Sequence, residues 1–294
     1  MVFKGVATAL ITPFTDDNRI DLKSLEKLLD FQLKSGVNAI VALGTTGEPA
    51  TMTLDEKSQV IETALKVVGG KIPLIIGAGS NDTASAVKLC RFAESMGADA
   101  ILTVTPYYNK CTQTGLIRHY EEIANATSLP VICYNVPSRT GVNMLPSTFA
   151  EICKMKNIAA IKEASGNMEQ ICECLRLIEG NAELYSGDDA ITVPVMAMGG
   201  MGVISVASNV CPKFVCDMTE AFFSGDIKRA SAMQRALLPL VKALFCEVNP
   251  IPVKYAAAHL GLCLNNLRLP LTRISQANAK MLDSLLDSFG GKYM

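Results

Sequence analysis

Ile158-Ala159-Ala160-Ile161-Lys162-Glu163-Ala164-Ser165 is an apolar run that ends on a lysine, with Gly166 behind it. By pattern it is a buried strand that delivers an amine to the rim of a sheet. A lysine held there is desolvated, which lowers its pKa and makes it a nucleophile for a carbonyl. Schiff-base chemistry is the reaction class that this placement suits. The same eight residues, taken alone, also fit a strand-end lysine whose stem packs along the rim while its ammonium reaches water.

Seven further short apolar runs share the pattern: Gly5–Thr12, Ala39–Gly44, Pro73–Gly79, Ala100–Pro106, Pro130–Pro137, Glu183–Gly187 and Gly202–Ser208. Amphipathic stretches separate them. Ser24–Ser35 sets Leu25, Leu28, Leu29 and Leu33 on one face, and Leu54–Val68 follows Thr53, an N-cap with Glu56 three residues on. Strands alternating with helices imply parallel βαβ units, and eight of them imply a closed (β/α)8 barrel. The expected barrel is residues 1–224. Residues 225–294 carry no strand pattern and read as a helical appendage, with helices over Asp226–Phe245, Ile251–Leu260 and Ser275–Ser288. No Gly, Ser or Pro linker marks the junction, so the appendage is expected to pack rather than swing free.

Composition narrows the function. The 294 residues are 49% apolar with a net charge of -1, which offers no basic surface for nucleic acid. No apolar run is long enough to span a bilayer. Met1-Val2-Phe3-Lys4-Gly5 enters a strand pattern at once, so no signal peptide is expected and the cytoplasm is the expected location. The ten cysteines are scattered without a Cys-x-x-Cys pair, Cys172 and Cys174 being closest, and the two histidines, His119 and His259, lack ligand spacing. The cysteines are therefore expected as small apolar core residues, with no metal site or disulfide framework.

A barrel of this kind does its chemistry at the C-terminal ends of its strands. Gly44-Thr45-Thr46-Gly47-Glu48 follows the second run; its glycines allow a tight turn whose N–H groups and hydroxyls would cradle a carboxylate or relay a proton, and an ordinary turn reads the same way. Thr105-Pro106-Tyr107-Tyr108-Asn109 follows the fourth, and its adjacent tyrosines point to different sides, toward a pocket or an interface. In the fifth, Tyr134 shares a face with Ile132 by the strand period, which directs its phenol toward Lys162 on the neighbouring strand. Arg139, just beyond, offers a planar fork for a carboxylate, although a surface arginine is the commoner case. Gly187 ends the seventh run. Gly199-Gly200-Met201-Gly202 and Ser208-Asn209 bracket the eighth, and those glycines suit either close approach to a ligand or the turn alone.

Gly44–Glu48, Tyr107-Tyr108-Asn109, Tyr134–Thr140, Ile161–Gly166 and Gly200–Asn209 stand in an order and spacing that resembles the dihydrodipicolinate synthase family, among the pyruvate-dependent class I aldolases. The resemblance runs through essentially the whole chain. It implies condensation of pyruvate with L-aspartate 4-semialdehyde through a Lys162 imine, in diaminopimelate and lysine biosynthesis, with no cofactor. It implies that Tyr134, Thr45 and Tyr108 relay protons, Tyr108 reaching in from a neighbouring subunit of a homotetramer built as a dimer of dimers. It further implies that Thr46 holds the pyruvate carboxylate, Arg139 binds the semialdehyde carboxylate, and Gly187 and Ile204 contribute backbone groups beside the lysine.

The chain departs from the pattern of lysine-inhibited members. Pro49, Leu54 and Lys57 stand where those members offer a serine and polar or histidine side chains, and Ser85 stands where an acidic residue is expected after Asn81; Asn81 and Tyr107 remain. Weak or absent feedback inhibition is the expectation. The alternative within the superfamily is N-acetylneuraminate lyase or a 2-keto-3-deoxy-sugar-acid aldolase, which would keep Lys162 and Tyr134. Arg139 favours an acceptor that bears a carboxylate. A keto-acid sensor on the same barrel is the alternative outside catalysis.

Overall fold

The computed structural model describes residues 1–293, with side chains through Phe289. Eight strands close into a barrel in chain order, and their ladders are parallel. They are β1 (Gly5–Ala9), β2 (Ala39–Ala42), β3 (Leu74–Gly77), β4 (Ala100–Val104), β5 (Val131–Asn135), β6 (Ile158–Glu163), β7 (Glu183–Ser186) and β8 (Gly202–Ser205). The helices are α1 (Leu22–Lys34), α2 (Leu54–Val68), α3 (Thr83–Ser95), α4 (Gln113–Ala126), α5 (Pro137–Thr140), α6 (Pro146–Ile152), α7 (Met168–Ile178) and α8 (Thr192–Ala197). Four more follow: α9 (Pro212–Phe223), α10 (Ile227–Leu244), α11 (Ile251–His259) and α12 (Gln276–Tyr293). Strands buried on both faces are what an unbroken apolar run encodes, and Ile40, Ile75, Ile101 and Ile132 are fully enclosed.

All eight expected strands are present, and each leaves the ladder before its apolar run ends. The first run, Gly5–Thr12, is strand only to Ala9, yet Leu10, Ile11 and Thr12 stay buried. Burial continues past the last ladder pair, so hydrophobicity alone overshoots the strand end. The α2 start is as expected: the Thr53 hydroxyl accepts from the Glu56 N–H, and the Glu56 carboxylate accepts from the Thr53 N–H. Cys90, Cys133, Cys153, Cys174, Cys211 and Cys263 are buried, as small core residues would be, whereas Cys111, Cys216 and Cys246 are half-buried and Cys172 is exposed, so the expectation holds for six of the ten.

The chain packs as two compact units, one of Met1–Lys4 with Ile75–Ile204 and the other of Gly5–Leu74 with the chain from Ser205 onward. In the first, Phe3 stacks on Tyr185 at 4.1 Å between ring centroids, and the Tyr185 hydroxyl donates to the Phe3 carbonyl at 2.6 Å. In the second, α9 packs on β1, α10 on α9, and α12 on α10 and α11. A buried asparagine finishes β1 there. Asn209 Nδ2 donates to the carbonyls of Ala9 (2.8 Å) and Val206 (3.0 Å), while its Oδ1 accepts from the Ile11 N–H at 3.0 Å.

Asn209→Ala removes partners from buried main-chain groups that water does not reach. It should lower unfolding stability by about 1–3 kcal/mol, read as a reduced denaturant midpoint with an unchanged slope.

Candidate active site

The position of Lys162 depends on an irregularity in β6. Val131 pairs with Ile158, but the next residue, Ile132, pairs with Ala160, so Ala159 is an extra residue in β6. Without it, Tyr134 would face Ile161. With it, Tyr134 pairs with Lys162 and Asn135 with Glu163. Side chains alternate across a strand, so the Tyr134–Lys162 pair lies on one face of the sheet and the Asn135–Glu163 pair on the other.

The Lys162 ammonium lies 4.1 Å from the centroid of the Tyr134 ring. Lys162 is 5% exposed, and burial brings its pKa down from 10.5 to about 7, with the Asp189 carboxylate opposing and the Arg139 guanidinium adding to that fall. Tyr134 is pushed up to about 12, chiefly by burial, so its phenol stays protonated at neutral pH. The pair therefore combines an amine that is substantially neutral near pH 7 with a proton donor beside it. Gly187 belongs to the same arrangement. A Cβ there would come within 3.1 Å of Cγ and Cε of Lys162 and 2.7 Å of the Ala164 Cβ, so any side chain would displace the lysine stem. The glycine's main chain is fixed by its N–H, which donates to the Glu163 carbonyl at 2.7 Å.

Arg139 sits on α5, a single turn closed by Arg139 N–H to Val136 O (3.0 Å) and Gly141 N–H to Pro137 O (2.9 Å). The loop after β4 rests on this turn through the Tyr108 N–H, which donates to Thr140 O at 3.2 Å. Both tyrosines are exposed, Tyr108 at 88% and Tyr107 at 38%. The Gly44–Glu48 segment folds into a three-residue 3-10 turn over Thr45–Gly47. Thr45 is exposed and Thr46 buried, where its hydroxyl accepts from Asn249 Nδ2 at 2.9 Å. The left-handed residues here are Leu43 (φ 56°) and Glu48 (φ 57°), not the glycines. A Cβ at Gly47 would crowd Leu10 O and Thr12 Oγ1 at 3.2 Å, so the glycine lets this turn pack closely on the end of β1. Ile204 is buried on β8. Gly199 and Gly202 take left-handed φ values, and a Gly200 Cβ would strike Val195, so these glycines serve the turn into β8.

A model of the dihydrodipicolinate synthetase family matches residues 2–288. The chain belongs to that family. A 4-hydroxy-tetrahydrodipicolinate synthase of Alkaliphilus oremlandii is 51% identical over 281 residues, covering 96% of this chain and 97% of the relative. The crystal structure of a dihydrodipicolinate synthase from Thermotoga maritima matches with a TM-score of 0.97 at 45% identity over 99% of both chains. That of a chloride-inhibited dihydrodipicolinate synthase from Acinetobacter baumannii, complexed with pyruvate, matches with a TM-score of 0.96 at 40% identity, again over 99% of both. Among the described residues no helix is long and apolar enough to cross a membrane, and no cluster of His, Cys, Asp and Glu is arranged to hold a metal.

Sequence reading passed over several groups that this member of the family builds around these positions. Lys254 Nζ donates to Glu48 Oε1 at 2.5 Å, both side chains being essentially inaccessible, and the ammonium lies 4.0 Å from the Phe14 centroid. This pair and Asn249 hold the threonine turn from a distant part of the chain. Loss of either charged partner would strand the other in the interior at a cost of about 3–5 kcal/mol. The one signal was a lysine within the otherwise apolar segment Ile251-Pro252-Val253-Lys254. Asp189, 2% exposed and acting on the Lys162 charge, follows Asp188, which caps the short turn after β7.

Holding the Lys162 amine away from water weakens the fold. Its folded pKa is depressed, so the unfolded chain binds more protons between pH 7 and 10.5, and the stability this group contributes rises across that window. Lys162→Met should therefore unfold at a higher temperature than the parent below pH 7. The advantage should narrow steadily as the pH is raised to 10.5 in thermal scans.

Proposed function

We propose that the chain catalyses the 4-hydroxy-tetrahydrodipicolinate synthase reaction, condensing pyruvate with L-aspartate 4-semialdehyde in diaminopimelate and lysine biosynthesis. The observation that carries this is the desolvated Lys162 amine, with a pKa near 7, set against the Tyr134 phenol. The relatives named as this synthase, at about half identity across nearly the whole chain, support the choice of substrates. The pyruvate complex of the Acinetobacter protein supports the keto-acid half.

Lys162 attacks the pyruvate carbonyl carbon, and loss of water gives a protonated imine. That imine is the electron sink, so C–C bond formation needs neither metal nor organic cofactor. Loss of a methyl proton gives the enamine, which adds to the aldehyde carbon. The semialdehyde's own amine then displaces Lys162 by transimination and closes the ring, returning the lysine free. Tyr134, Thr45 and Tyr108 relay the protons. Tyr108 acts from a neighbouring copy, in line with its outward exposure, within a homotetramer built as a dimer of dimers. Thr46 and adjacent main-chain groups hold the pyruvate carboxylate, Arg139 holds that of the semialdehyde, and Gly187 and Ile204 line the lysine's surroundings. The cytoplasm is the proposed location. A sugar-acid aldolase would share the lysine and the phenol, but an uncharged acceptor gives Arg139 nothing to bind.

Lysine control is proposed to be weak. The Ser85 hydroxyl is occupied by Asp82 Oδ2 at 2.5 Å, Leu54 is an exposed apolar side chain, and Lys57 adds a like charge to any ammonium effector.

Wild type should turn over in an assay coupled to a downstream reductase, and borohydride should trap pyruvate on it as a stable mass increase. Lys162→Ala should lose both, with turnover down by on the order of a thousandfold or more. Unimpaired turnover by that variant would overturn the imine mechanism. Millimolar L-lysine should leave the wild-type rate nearly unchanged, and half-maximal inhibition below a millimolar would contradict the proposed insensitivity.

A further inference from the structure

Glu163 follows the lysine and is completely buried on the opposite face of β6. Its hydrogen-bond partners are all neutral donors. Oε1 accepts from the Ser165 N–H at 2.6 Å, and Oε2 accepts from Asn135 Nδ2 at 3.0 Å and Gln170 Nε2 at 3.4 Å. Burial pushes its carboxyl up, and these donors pull it back toward the ionised form.

The partners locate its purpose. Asn135 and Asn143 bracket the segment that carries α5 and Arg139. Asn135 Oδ1 accepts from the Met144 N–H at 3.0 Å, which closes the base of that loop. Asn135 Nδ2 donates to Asn143 Oδ1 at 2.9 Å as well as to Glu163, and Asn143 Nδ2 donates to Gln170 Oε1 at 2.8 Å. Both ends of the Arg139 loop thus converge on one carboxylate. The amide orientations are forced: Ser165 and Met144 present main-chain N–H groups, which cannot reverse. Asn135 must turn its oxygen to Met144 and therefore its nitrogen to Glu163. A neutral amide at 163 would set a donor against a donor at one of these contacts.

We infer that Glu163 is a positioning residue for substrate selection: through Asn135 and Asn143 it fixes the loop that aims the Arg139 guanidinium at the acceptor's carboxylate. This rests on the reading of Arg139 given under the proposed function. The Lys162 amine lies on the other face of the same strand, so the two halves of the reaction should separate on mutation.

The test is steady-state kinetics and borohydride trapping on wild type, Glu163→Gln, Asn143→Ala, Arg139→Ala and the Glu163→Gln/Arg139→Ala double variant. Asn143→Ala removes the Asn143 amide's bonds to Asn135 and Gln170 without altering β6, so it tests the inference even if Glu163→Gln folds poorly. Both Glu163→Gln and Asn143→Ala should lower kcat/KM for L-aspartate 4-semialdehyde at least about tenfold, through KM. Pyruvate KM should stay within about twofold, and the extent of pyruvate trapping should be unchanged. In the Arg139→Ala background, Glu163→Gln should add less than about twofold. An unchanged semialdehyde KM in both variants overturns the inference. So does an equal rise in both substrates' KM values, or an undiminished effect without Arg139, because either is the signature of general loosening. Wild-type turnover and trapping in the same series judge the functional reading separately.

Discussion

Withholding water from one primary amine is the constraint around which the lysine side of the barrel is arranged. An ammonium in an apolar wall is unfavourable by several kcal/mol unless it sheds its proton or finds a partner. Lys162 does some of each, through burial, the Tyr134 ring and the more distant Asp189 charge. The extra residue in β6 turns the lysine to that face, and the missing side chain at Gly187 leaves room for its stem. Each of these features would be a defect in a barrel built only to be stable. Together they hold a reactive group in one geometry on a rigid strand.

Much of this was legible in the sequence, and the portions that were not share a physical cause. The eight strands showed because burial on both faces leaves unbroken apolar runs, and Lys162 showed because it interrupts one. The Thr53–Glu56 cap showed because its partners are three residues apart. Strand ends did not show, because Leu10 and Ile11 are as buried outside the ladder as Ala9 is within it. The bulge in β6 left no mark either, since Ala159 and Ala160 look alike in sequence and only the register against β5 separates them. Glu163 looked like the polar end of a strand. Its meaning depends on Asn135, Asn143 and Gln170, which nothing local connects.

Backbone strain has its own distribution. Among the described residues, five non-glycine positions take left-handed φ values: Asn18, Leu43, Glu48, Tyr108 and Lys110. Asparagine adopts that region readily, and the other four fall in the loops after β2 and β4. At roughly 1–3 kcal/mol each, such conformations persist only where neighbours enforce them. Glu48 is enforced by its buried bond to Lys254, and Tyr108 by its N–H on Thr140. The Gly44–Gly47 segment makes the tight turn its glycines allow, but the left-handed residues that flank it are Leu43 and Glu48.

The Lys254–Glu48 and Asn249–Thr46 bonds join positions 206 and 203 residues apart. On the ribosome the threonine turn leaves the exit tunnel long before the groups that complete it have been polymerised. Glu48 then has no buried cation to neutralise it, so water keeps it and the turn stays unfinished. The order of synthesis thus acts as a timer: a nascent chain can form most of its strands while this turn is still unmade, and any fragment that stops short of α11 lacks it for good.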